Sequence, residues 1–70
     1  MAWNPSPKVA AARDIGKKFG FDQVIILGIN NDKDQMEAIS YGSTKSSCGQ
    51  AKGYANVAYD AVYNHIVENL

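Results

Sequence analysis

Residues 22–29, reading Asp-Gln-Val-Ile-Ile-Leu-Gly-Ile, constrain this chain more than any other segment. The run is β-branched, of strand length and bounded by turn-forming residues, which predicts a strand. Successive strand side chains point to opposite faces, so Val24 and Ile26 share one face while Ile25, Leu27 and Ile29 share the other. Both faces are apolar, and both need cover. Two helices of one protomer are expected to cover only one of them, and a two-stranded hairpin is marginal by itself. The expectation is a homodimer that merges the sheets or packs them face to face, with Gly49, Gly53 and the alanines of the second helix allowing close approach.

Size points the same way. A 70-residue chain buries about 60–65% of the surface it exposes when unfolded and usually leans on a metal, disulfides or a partner subunit. One cysteine, Cys48, excludes an internal disulfide, and one histidine, His65, without a C-x-x-C pair excludes a zinc-ligand set. No cofactor is implied. The remaining route is oligomerisation.

The fold class expected is α+β, one small α-β-β-α domain. Residues 1–6 form an irregular arm. Ser6-Pro7 opens a helix over residues 7–19, with Ser6 as cap and Pro7 at the first helical position. Ala11, Ala12, Ile15 and Phe19 make its apolar side, and Gly20 suits the left-handed stop. Strands over 22–29 and 35–41 flank the polar loop 30–34; Glu37, Ile39 and Tyr41 share one face of the second strand. A second helix over 45–67 carries a core stripe of Cys48, Ala51, Ala55, Ala58, Val62 and Ile66, widened by Tyr54, Val57 and Ala61.

Seven Lys+Arg balance seven Asp+Glu, which argues against nucleic-acid binding as the main work, because that affinity comes largely from an excess of cations. No run approaches the roughly 18 apolar residues of a membrane span. The N-terminus lacks the regions of a secretion signal, and Asn4-Pro5-Ser6 has proline where glycosylation forbids it. A cytoplasmic protein without membrane partners is expected.

Catalytic chemistry has little to build on. Cys48 and His65 lie 17 residues apart on one predicted helix, about 25 Å, too far for a dyad within one chain. Cys48 reads as a small buried hydrophobe and His65 as a helix C-terminal cation. The loop 30–34 fails as a calcium site, since the sixth position from Asn30 is Gln35 and the twelfth is Tyr41.

Anion binding has more support. Gly42-Ser43-Thr44-Lys45-Ser46-Ser47 joins a strand end to a helix start, bringing backbone N–H groups, hydroxyls and a lysine to the positive end of the helix dipole. The segment is not a P-loop, and its plainer reading is an N-cap by Ser43 or Thr44. Arg13 and Lys17, four apart, project from one helix face, with Arg13 able to fork a phosphate. Asp14 could pair with Lys18 or accept from a ribose hydroxyl; Trp3 and Tyr41 offer aromatic surfaces for a base.

The opening from Trp3 to Phe19, with the later Tyr41-Gly42-Ser43-Thr44, resembles short phage and prophage proteins that share a W-x-P-x-P-x-V-A-x-A-R-D-x-G-K-x-F opening and a YGxT segment. In size, expected oligomer and ligand chemistry the chain is also similar to phage immune-evasion sponges of the anti-Thoeris and anti-CBASS type. The resemblance implies a non-enzymatic anti-defence protein of the bacterial host cytoplasm that sequesters a cyclic ADP-ribose-type or cyclic nucleotide signal in a dimeric pocket. It implies ligand contacts from Trp3, Arg13, Asp14, Lys17, Tyr41, Gly42 and Thr44, joined by Ser43, Lys45 and Ser46 of the same segment. A protein–protein adaptor or inhibitor of a host protein is the alternative.

Overall fold

The computed structural model describes residues 6–70. Trp3 and the rest of the expected arm up to Pro5 lie outside the described residues. The order is α1 (Pro7–Phe19), β1 (Gln23–Asn30), β2 (Gln35–Gly42) and α2 (Lys45–Glu68), an α+β domain as expected. The strand limits differ slightly: β1 starts and ends one residue later, β2 reaches Gly42 and α2 reaches Glu68.

Local chemistry sets these limits. Ser6 caps α1, its Oγ accepting from the Val9 N–H at 3.3 Å, and Pro7 occupies the first turn, where no N–H is required. Gly20 ends the helix at φ 76°, a left-handed conformation that glycine adopts without steric cost. β1 and β2 pair antiparallel from Gln23↔Gly42 to Asn30↔Gln35 without a bulge. Residues 31–34 close the hairpin, where Asn30 Oδ1 accepts from the Lys33 N–H at 3.2 Å. Asp34 sits at φ 54°, a conformation Asp tolerates better than most residues.

The two helices lie on opposite faces of the hairpin and do not touch each other. α1 covers the Val24 and Tyr41 face, since a Cβ on its Gly16 would sit 3.2 Å from Val24 Cγ2 and 3.8 Å from the Tyr41 ring. Lys8 of α1 also donates to both Glu37 carboxylate oxygens, at 2.6 and 2.7 Å. α2 covers the other face: Gln23 Nε2 donates to Gln50 Oε1 at 2.8 Å, and Ile29 and Met36 share a cleft with Tyr59, Tyr63 and Ile66. The expectation that both helices would cover one face is therefore overturned. The link from β2 to α2 is so short that α2 turns directly onto the face α1 leaves bare. Each face of β1 thus has a helix over it within one protomer, though Ile25 and Ile29 on the α2 face stay 37% and 53% exposed.

Sandwiching one hairpin between two helices makes two thin interfaces. The buried residues are Ala12, Val24, Ala51 and Ala55, with Gly16; among the described residues no large side chain is fully buried. Small side chains let backbones approach closely but remove little apolar area from water. The expected stripe of α1 is correspondingly rotated, whereas that of α2 holds at Ala51, Ala55, Ala58 and Val62 and fails at Cys48 and Ile66. In α1 the sheet-facing positions are Ala12 and Gly16, while Ala11 and Phe19 are exposed. In α2 Cys48 is exposed rather than buried; Ser47, Ala51, Ala55, Ala58 and Val62 face the sheet, whereas Tyr54, Val57, Ala61 and Ile66 do not close over. Length contributes too: the 24 residues of α2 span about 36 Å, and eight strand residues only about 26 Å.

Gly42 is the tightest point. A Cβ there would fall inside the radii of the Ser47 carbonyl carbon and the Cys48 backbone nitrogen, and backbone atoms cannot swing aside. Gly28, paired with Glu37, has open space around its Cβ position. Gly42→Ala is expected to cost about 3 kcal/mol or more, as overpacking against backbone does, lowering Tm by more than about 10 °C. Gly28→Ala should leave Tm within a few degrees or raise it; thermal unfolding followed by circular dichroism compares the two.

Candidate functional site

The residues expected to bind an anion divide into two groups. Arg13, Asp14, Lys17 and Tyr41 belong to the α1 side of the hairpin; Gly42, Ser43, Thr44, Lys45 and Ser46 form the turn into α2 on the other side. None of these residues lines the tip cleft, the cleft beside Lys8 and Glu37 or the cleft beside Ile15 and Phe21.

Within the α1 group the charges are partly satisfied. Arg13 Nε donates to Asp14 Oδ1 at 3.4 Å, so Asp14 pairs with its neighbour rather than with Lys18. Both are substantially exposed, and such a pair contributes at most a few tenths of a kcal/mol. Lys17 is exposed. Tyr41 is half-buried with its ring beside Gly16, so its face packs under α1.

At the start of α2, hydrogen bonding to the protein itself uses much of the donor set. Thr44 is the N-cap, its Oγ1 accepting from the Ser47 N–H at 3.0 Å, while the Cys48 N–H donates to Thr44 O at 2.8 Å. The Ser43 N–H donates to Asp22 O at 2.9 Å, tying the turn to the entry of β1. The Lys45 and Ser46 N–H groups remain, as the first turn of any helix leaves them. Gly42 is required here by the closeness of α2, independently of any ligand.

A different surface is better formed. Because α2 runs back along β2 and beyond it, about its last two turns overhang the hairpin tip. A cleft of about 310 Å³ opens there, lined by Ile29, Met36, Tyr59, Tyr63, Ile66, Val67 and Leu70 and rimmed by Asn30, Asn31, Asp34 and Gln35. Tyr59 and Tyr63, one turn apart, lie nearly parallel with ring centroids 6.3 Å apart, the i, i+4 contact a helix face allows. No lysine or arginine lines the cleft. Sequence reasoning missed it because Tyr59 and Tyr63 fall outside the alanine stripe; the mismatch between helix and strand lengths was the available signal.

Catalytic groups do not converge. Cys48 and His65 are both exposed on α2, about 25 Å apart along it. Among the described residues no three His, Cys, Asp or Glu side chains gather as metal ligands. No helix among the described residues is long and apolar enough to cross a membrane.

Thr44→Ala should remove the cap of α2 and cost about 1 kcal/mol, lowering Tm by about 4–8 °C. Lys8→Ala should shift Tm by less, because the exposed Lys8–Glu37 pair is worth under about 1 kcal/mol.

No protein-family model matches the chain, and neither a curated protein nor a solved structure is significantly similar to it.

Proposed function

We propose that this chain is a non-enzymatic binding protein whose target is another protein, engaged through the apolar cleft at the hairpin tip. The observation that carries this reading is the composition of that cleft: seven apolar or aromatic side chains inside a rim of three side-chain amides and one carboxylate. Such a site takes an apolar anchor from a partner, an aromatic or branched aliphatic side chain on a helix or loop. The rim amides can then bond to partner backbone, and Asp34 favours a neighbouring cation. Tyrosines suit this work, as they offer large contact area at low entropic cost. The separation of Cys48 from His65 supports the non-enzymatic part of the proposal.

A second reading is sequestration of a small nucleotide signal in an anti-defence role, as the resemblance to phage proteins implies. The free N–H groups of Lys45 and Ser46 beside the Lys45 side chain favour it, with Arg13 and Lys17 as further cations. The two groups lie on opposite faces at the same open end of the hairpin, with Gly16 beside Tyr41 and Gly42 against Cys48.

The two readings predict opposite mutational patterns. Ile66→Glu with Tyr63→Ala should weaken capture of the partner protein at least about tenfold, the effect of losing an interface anchor, while Arg13→Ala with Lys17→Ala leaves it unchanged. Affinity capture from bacterial host cells, with native mass spectrometry of the eluate, reads both. If a nucleotide mass co-purifies and is lost only in the Arg13 and Lys17 variant, the cleft reading is overturned. Neither pair should lower Tm by more than a few degrees.

A further inference from the structure

We propose that the outer edge of β1 pairs with β1 of a second copy of this chain, so that two hairpins join into one four-stranded antiparallel sheet. This inference concerns self-association and does not depend on what the tip cleft binds.

The edge itself is the first argument. β1 runs eight residues, Gln-Val-Ile-Ile-Leu-Gly-Ile-Asn, with no charge, no proline and no bulge in its register. Edge strands of soluble monomers normally carry at least one of these protections against pairing. A strand without charge needs no complementary partner sequence. A copy of itself, turned by a two-fold axis normal to the sheet, presents apolar residues opposite apolar residues around Ile26 and Leu27.

The surroundings are the second argument. On the α1 face, Ile15 and Phe21, 37% and 59% exposed, stand beside β1 and line an open cleft with Val24, Ile25 and Ile26. On the α2 face, Gln50 reaches Gln23, so the flank of α2 that carries Gln50 looks toward β1. Helical spacing puts Tyr54 and Val57 on that flank, and they are 57% and 69% exposed. A two-fold axis normal to the sheet keeps both copies of α2 on one face and brings these flanks toward each other. Face-to-face packing of sheets is not available, because each face is already covered by a helix.

Light scattering on the full chain at micromolar concentration should give twice 7.6 kDa, and Val57→Glu with Ile25→Lys should halve that mass while circular dichroism keeps its helical signal. Hydrogen exchange of the unsubstituted protein locates the interface even where the variant fails to fold. In a lone hairpin alternate β1 amides face solvent and exchange fast; in the joined sheet the amides of residues 24–29 are protected without alternation. A 7.6 kDa particle overturns the proposal and leaves the edge to a strand of some other protein. A dimer whose alternate β1 amides still exchange fast also overturns it, placing the contact elsewhere.

Discussion

The apolar character of both faces of β1 is the constraint on which the rest of the molecule depends. A single hairpin with two apolar faces and only two helices to cover them is satisfied by placing one helix on each. That arrangement divides the available burial between two interfaces, neither deep. Close approach then becomes the main source of contact, and it requires small residues where backbones meet: Gly16 and Ala12 under α1, Ala51 and Ala55 under α2, and Gly42 where β2 turns into α2. Each large side chain that would thicken these layers would also push a helix away.

The exposed apolar surface follows from the same geometry. With thin layers, residues one helical position away from the contact line are not reached by the sheet, which leaves Tyr54, Val57 and Ile15 toward solvent. The unequal lengths of α2 and the strands leave a second apolar surface at the hairpin tip. The two surfaces meet at Ile29 and Asn30, which belong to β1 and also line the tip cleft.

The cationic residues have a different distribution. Arg13 and Lys17 are held on α1, Lys45 at the start of α2, and the hairpin stands between them. In sequence they read as one cluster because each is a good phosphate ligand by type. The sheet lies between their two helices, and the Ser43 and Ser47 N–H groups already donate to Asp22 O and Thr44 Oγ1.

Much of the fold was legible without coordinates. Ser6-Pro7, Gly20, the β-branched run and the polar loop marked where each element starts and stops, because capping, left-handed φ and side-chain alternation are local matters decided within a few residues. The sequence also showed that both faces of β1 need cover. Which helix covers which face was decided only by tertiary structure, since it depends on the short turn after Gly42 and on how near α2 comes to that backbone. The exposure of Cys48, the turning of Ser47 toward the sheet and the overhang that forms the tip cleft all follow from that placement. Distances between elements are set by packing, and no spacing along the chain encodes them.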